Sequence, residues 1–450
     1  MKEEVIKFFN EISNFPRSSG NEEKVANYLV EFAKKRNLEV YKDKFNNVLI
    51  KKGSTLNCEP IILHSHTDMV CVKEKDYDID FLVDPIKTVI EGDYLSAYKT
   101  SLGADNGLGV AIILSLLDED NNYNIEALFT TDEEVTMTGA LNFDYSLLKG
   151  DKLISLDGMS DEELINGCAS ICDMKIKFNK PFIKTNQKGY LLTVNGLKGG
   201  HSGAEISQNI GNSNNILVDI LSQLNSLKLS NIEGGNQFNF ITNYTSATFV
   251  SDDFINKIEN IKNKLQNQYN QVKITYKEVE IKEVLSEEFS KKFIDLLTKI
   301  KTGVIKGDGK NIVLSQNLAQ VSFNKNTIKI SQRGHDENEE NLNIKKLQEL
   351  ADLNGFDFEI FDKQPGFSAL KNSLLTKKLC ENYNSLFNKK LKVINKHISL
   401  EACIFKQKMP HCDIAIVSPK ILDVHSTKER VYIPSIETTC SLLQCFLKNK

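Results

Sequence analysis

Three segments of this chain run through short, largely apolar stretches and then stop on acids or histidine. They are "PIILHSHTDM" (60–69), "NIEALFTTDEE" (124–134) and "DKLISLDG" (151–158). An apolar run of this length, bounded by polar residues, marks a strand covered on both faces, the kind found in parallel sheets flanked by helices. Helical patterns lie between them: "DNGLGVAIILSLLDE" from Asp105, then a small-residue turn and helix at "TGALNF". The pattern predicts an α/β succession whose strands deliver polar groups at their C-terminal ends, where open α/β sheets place ligands. Side chains anchored at strand ends are held more firmly than those on free loops.

The chain has 450 residues, too many for one hydrophobic core, so two or more domains are expected. Its character changes near residue 184. Beyond that point strands such as "TSATFV", "QVKITYKEVE" and "NIVLSQNLAQVSFNKNTIKISQRG" alternate with amphipathic helices such as "DFINKIENIKNKLQNQY". This predicts an antiparallel sheet with helices on one face. The segment "DKQPGFSAL" crosses back, and the tail, with "KKLKVINKHISLEACIF", "CDIAIVSP" and a last helix from Ser435, returns to α/β material. The economical layout is an α/β domain made of residues 1–184 and 366–450, interrupted by an inserted α+β domain over 185–365.

Bulk properties narrow the function classes. Fifty-six basic against sixty acidic side chains leave a formal charge of -4, with no basic block to suit a nucleic acid. No apolar run reaches the roughly eighteen residues of a membrane span. The N-terminus "MKEEVIKFFNEISNF" is an amphipathic helix pattern without a signal peptide's continuous apolar core. Nine cysteines, an odd number without a CxxC pair and mostly in apolar contexts such as Cys168, Cys403 and Cys440, read as reduced, buried thiols. A cytoplasmic location is expected.

The polar strand ends look like parts of one metal site. His66 and Asp68 are two positions apart on an extended segment and face one side, so one can bind a cation while the other orients it. Asp105 is flanked by glycines and has two oxygens with which to bridge two cations; capping the following helix is its other reading. Glu133 and Glu134 are adjacent and point different ways, one suited to binding metal and the other to acting on water. Such acids at the end of a buried strand are costly unless a cation is near. Asp157 ends a third strand, and His425 follows an apolar run in "LDVHSTKERVYIP". His201, among the glycines of "GLKGGHSGAEI", offers an imidazole donor to a developing oxyanion, or is structural. This mixture of imidazole and carboxylate suits zinc and its neighbours.

The motifs "HTDM", "LGADNG", "TTDEEVTMTGA", "GLKGGHSGAEI" and "VHSTKERVYIPS" together resemble the M20 metallopeptidase family, and within it the aminoacyl-histidine dipeptidase branch. The resemblance runs nearly end to end. It implies a two-domain zinc exopeptidase fold, with a catalytic domain interrupted by a lid, acting on small peptides. It implies two divalent cations, Zn2+ first, with Co2+ or Mn2+ as substitutes. His66 and Asp157 would bind one and Glu134 and His425 the other, with Asp105 bridging. Asp68 would support His66, Glu133 would be the general base, and His201 would occupy the lid-histidine position. That histidine serves the partner subunit in dimeric relatives, which implies a homodimer. Asn239 and Arg333 match lid positions for the substrate's carboxylate. Lys99, Gly158, Ile210, Asn243, Ser399 and Cys403 depart from the branch's pattern, and none removes a proposed ligand or the base. An N-acyl or carbamoyl amidohydrolase is the alternative enzyme, and a non-catalytic metal- or peptide-binding protein the alternative of another class. "GVIKGDGKN" lacks phosphate-loop spacing.

Overall fold

The computed structural model describes residues 1–53, 59–309, 311–368, 370 and 372–448. The chain packs as two compact units. The first comprises Met1–Cys168, Phe367–Asn395 and Leu400–Lys450, and the second Ala169–Gly366 with Lys396–Ser399.

A mixed sheet organises the first unit. Its strands run in the order Glu39–Lys42, Val48–Lys52, Ile125–Thr130, Ile61–His66, Lys152–Ser155, Asp413–Ile416, Glu163–Cys168 and Phe367–Ser368, with Lys392–Lys396 beside Glu163–Cys168. The three apolar runs that opened the sequence argument lie side by side and parallel at its centre. His66 stands opposite Thr130, and His64 opposite both Leu128 and Ser155. Their C-terminal ends therefore emerge together, which is the physical basis of the site. Every residue of Ile61–His66 and of Ile125–Thr130 is buried, as the lack of polar alternation predicts.

Helix Ala104–Asp118 is buried from Ala104 to Leu117, so its sequence shows no polar stripe. It approaches the central strand through Gly109, where an added Cβ would meet Asn106 Oδ1 at 2.3 Å, Ser65 Oγ at 2.8 Å and Leu156 Cβ at 2.9 Å. A separate four-stranded sheet orders Ile421–Leu422, Arg430–Tyr432, Tyr94–Ala97 and Thr88–Glu91. Its first hairpin carries the loop with His425. Of these short strands the sequence showed only the apolar run before His425, because the others have no run long enough to register.

The second unit is an antiparallel sheet in the order Lys273–Val284, Ile183–Asn195, Thr245–Val250, Lys228–Gly234, Ile312–Ser322, Thr327–Gly334, Ser170–Lys177 and Asp357–Gln364. Alternate residues such as Cys172, Met174, Ile176, Ile328 and Ile330 share one core with Ile216, Phe254, Phe293 and Leu347 from its helices. That period-two burial puts the helices on one face. The first boundary differs from the expected 184/185: it falls at 168/169. The strand Ser170–Lys177 pairs along its whole length with Thr327–Gly334, and this long-range register is invisible in local composition.

Alanine is the better helix former, yet Gly109→Ala is expected to destabilise the first unit, because its methyl has no room. A loss of about 1–3 kcal/mol is expected from overpacking, measured by urea or thermal unfolding. Unchanged or raised stability would show that the helix lifts off the strand freely.

Candidate metal centre

The functional side chains of the first unit arrive from three strand ends, the start of a helix and a loop. The ladder between the two central strands continues one residue past His66, with Thr67 N and Thr67 Oγ1 both donating to Thr130 O at 2.9 and 2.8 Å. Asp68 then projects into the segment after the neighbouring strand. Its Oδ1 accepts from Glu133 N at 3.0 Å, and its Oδ2 from Glu134 N at 3.1 Å and Ser19 Oγ at 2.7 Å. Its Oδ1 also lies 3.3 Å from His66 Nδ1. One buried carboxylate thus orients an imidazole and pins the backbone of both glutamates.

Asp105 stands at the start of the buried helix with non-helical backbone (φ -82°, ψ 106°), and the Asp105–Asn106 peptide is cis. Asp105 Oδ1 is 3.4 Å from His66 Nε2 and Oδ2 is 3.3 Å from His425 Nε2. Asp157 Oδ1 is 3.8 Å from His66 Nε2, and Glu134 Oε1 is 2.9 Å from His425 Nε2. Two donor triads result, His66–Asp105–Asp157 and Asp105–Glu134–His425, each with ligand atoms within 4.8 Å of one another. Asp105 belongs to both. Glu133 with His66 and Glu134 forms a third such grouping. His425 reaches in from a loop at φ +59°.

Five carboxylates surround two imidazoles, so charges govern the site. Burial lifts the Glu133 carboxyl well above the ordinary range, and the charges of Asp157 and Glu134 add to it. Burial likewise pushes Asp157 up to about 8. Burial opposes ionisation of Asp105 too, but its contacts with His425 and His66 outweigh it and hold this carboxyl below the usual range. Contacts with Asp105 and Glu134 push His425 up to about 10. Burial disfavours the His66 cation, yet Asp105, Asp68 and the Glu133 charge raise it well above an ordinary histidine. Asp157 Oδ2 is buried and finds no hydrogen-bond partner among the described residues, and the buried ring nitrogens of His66 face carboxylates at 3.3, 3.4 and 3.8 Å. Buried imidazole nitrogens set among surplus carboxylates in this way fit a pair of divalent cations.

Two supporting residues were missed in the sequence. His64 is fully buried beneath the site, its Nδ1 3.0 Å from Ser155 Oγ and its Nε2 2.9 Å from Thr130 Oγ1 and 3.0 Å from Glu401 Oε2. Thr130 Oγ1 donates to the same Glu401 oxygen at 2.6 Å. The available signals were a histidine inside an apolar strand and a lone acid inside "ISLEACIF". Of the departing positions, Lys99 has φ +60°, a backbone region that glycine enters without cost, and its ammonium pairs with Asp76 at 2.6 Å. Cys403 is fully buried.

His201, Asn239 and Arg333 lie in the second unit. His201 Nδ1 accepts from Gly203 N and Ala204 N at 3.2 and 3.1 Å, which puts the proton of the neutral ring on Nε2. Asn239 is exposed, and its carbonyl accepts from Ser202 N at 2.8 Å. Arg333 is 4% exposed, and its Nε finds no acceptor among the described residues. An added Cβ on Gly203 would meet both His201 Cε1 at 3.0 Å and Arg333 Nε at 3.1 Å, so these two predicted residues flank one glycine.

The chain is similar to known proteins over nearly its whole length. The pattern of Peptidase family M20/M25/M40 matches residues 62–449. The chain is 32% identical to the cytosol non-specific dipeptidase of Escherichia coli (strain K12) over 465 aligned residues, covering 98% of this chain and 96% of the relative. It superposes on the aminoacylhistidine dipeptidase of Vibrio alginolyticus with a TM-score of 0.86 and 29% identity, covering 99% and 96% of the two chains. A tripeptidase from Staphylococcus aureus shares the fold at a TM-score of 0.59 and 16% identity, with 100% and 98% covered.

A ligating imidazole must be neutral, whereas in the cation-free protein His425 holds its proton to about pH 10. Cation binding near pH 7.5 is therefore expected to release roughly one or more protons per chain, and apparent affinity should rise with pH. Calorimetric titration in buffers of different ionisation enthalpy reads this directly. Binding without proton release would remove His425 from the ligand set.

Proposed function

We propose that this chain, which belongs to Peptidase family M20/M25/M40, is a metal-dependent dipeptidase that hydrolyses the peptide bond of dipeptides at a dinuclear centre. The observation that carries the reading is the pair of donor triads sharing Asp105. His66 and Asp157 would hold one cation, Glu134 and His425 the other, and Asp105 both. The cations, when bound, acidify the attacking water and polarise the scissile carbonyl.

This chain's own groups carry the rest. Glu133, grouped with His66 and Glu134, takes a proton from the attacking water and returns it to the departing amine. Asp68 holds His66 in orientation and fixes the Glu133 backbone by a 3.0 Å hydrogen bond, which keeps the base on register. His201, protonated on Nε2, is assigned to the oxyanion. Arg333, buried and with an Nε that finds no acceptor among the described residues, is assigned with Asn239 to the substrate's carboxylate. Zn2+ is the proposed metal, with Co2+ and Mn2+ as substitutes, and a cytoplasmic homodimer the proposed form. Among the described residues no helix is long and apolar enough to cross a membrane. The two relatives, one non-specific by name and one an aminoacylhistidine dipeptidase, support a dipeptide range that includes Xaa-His.

Zn2+-reconstituted protein is expected to release amino acids from a dipeptide panel, Xaa-His included, and to leave N-acyl and carbamoyl amino acids intact. Chelation should abolish turnover and Zn2+ should restore it. Cleavage of the acyl controls alone would reassign the enzyme as an amidohydrolase. Glu133→Gln is expected to keep its bound metal while losing roughly 10²–10⁴-fold in kcat. Parent-like turnover in that variant would remove Glu133 as the base.

A further inference from the structure

A shared ligand works only if its backbone is held at one distance from both partners. Asp105 meets His66 on one oxygen and His425 on the other. Yet its own helix cannot supply this restraint. The first N–H groups of any helix lack intrahelical acceptors. Here the residue at the capping position is Gly103, which has no side chain, and the backbone at Asp105 is not helical.

A carboxylate distant in sequence takes over. Glu429 Oε2 accepts from Leu102 N at 2.8 Å and Gly103 N at 3.0 Å, and Oε1 from Ala104 N at 2.8 Å and Asp105 N at 3.3 Å. The residue is 2% exposed. It lies four positions after His425, in the same loop between Leu422 and Arg430. One side chain thus ties the backbone that carries Asp105 to the loop that carries His425.

The opposite side of the same turn is tied to the third arm. Arg17, fully buried, donates from Nη2 to Gly103 O, and from Nη1 to Thr67 O at 3.1 Å and Asp68 O at 3.3 Å. Gly103 is at φ +69°, and a Cβ there would meet Arg17 Nη2 at 2.5 Å and Met69 Sδ at 2.6 Å. Glycine is required both for the backbone conformation and for the approach of the guanidinium. Arg17 therefore fixes Asp105 relative to the His66 arm, and Glu429 fixes it relative to the His425 arm.

We propose that Glu429 is a positioning residue that sets the spacing of Asp105 and His425, and so governs occupancy of the Asp105–Glu134–His425 triad rather than of the His66–Asp105–Asp157 triad. The inference rests on the two-cation reading above. A carboxamide at 429 has one acceptor oxygen and turns an NH2 group on N–H donors, so at least part of the fourfold contact is lost. The Arg17 tie to the His66 arm stays.

Titration of cation-free protein with Zn2+, followed by calorimetry and elemental analysis, separates the two triads without reference to turnover. The parent is expected to take two equivalents. Glu429→Gln should keep one with parent affinity and bind the second at least tenfold more weakly. Its kcat at limiting Zn2+ should fall, with KM unmoved, and excess Zn2+ should restore it. A purely structural cap would instead lower thermal stability and leave the two affinities in their parent ratio. Glu429→Asp keeps the charge and shortens the reach, so it should show the same selective weakening to a smaller degree; it decides the matter if the glutamine variant does not fold. A second equivalent bound with parent affinity in the folded variant overturns the role of Glu429 and leaves the dinuclear reading standing. Failure of the parent itself to take two equivalents overturns both.

Discussion

Like charge gathered at the ends of three parallel strands is the constraint on which the rest of this structure depends. Asp68, Asp105, Glu133, Glu134 and Asp157 converge on only two imidazoles, and burial raises Glu133 and Asp157 above the ordinary carboxyl range. Carboxylates so placed repel one another and forfeit hydration, at a cost that mutual hydrogen bonding does not recover. The arrangement is coherent only when positive charge joins it. The buried ring nitrogens of His66, set against carboxylates, point the same way.

The fold meets that constraint with rigidity. Parallel register brings His66, the Glu133–Glu134 segment and Asp157 out at one level. Side chains with several simultaneous partners then lock the ends: Asp68 on two glutamate backbones and His66, Arg17 on three carbonyls, Glu429 on four amides. Beneath them His64, Thr130, Ser155 and Glu401 form a hydrogen-bonded polar layer against an otherwise apolar sheet. Burial keeps His64 neutral, so this layer adds no further positive charge and serves as hydrogen-bonded support. Networks of this sort hold a unique arrangement because each member left unpartnered would be expensive.

Ligand-type residues were easier to read than their supports for a physical reason. A histidine or acid at the end of an apolar run has no local partner, so its chemistry shows through: His66, Asp105, Glu133, Glu134 and Asp157 stood out for that reason. Glu429 and Arg17 sit in polar surroundings, "STKERV" and "FPRSSG", where a charged residue ordinarily faces water. Only their burial, 2% exposed in each case, sets them apart. Glu401 and His64 lie between these extremes, polar residues in apolar company whose partners are 271 and 66 residues away from Thr130.

By itself the sequence determined the succession of buried strands and helices, the inserted antiparallel unit, and the residue types placed at strand ends. These follow from periodicity and from the cost of burying charge, both of which act over a few residues. The tertiary structure alone decided that the first unit ends at Cys168 rather than at 184, and which distant side chains hold the ligands in place. Those outcomes rest on strand register and on contacts between segments separated by as many as 327 residues, and no local pattern encodes a distance across the fold.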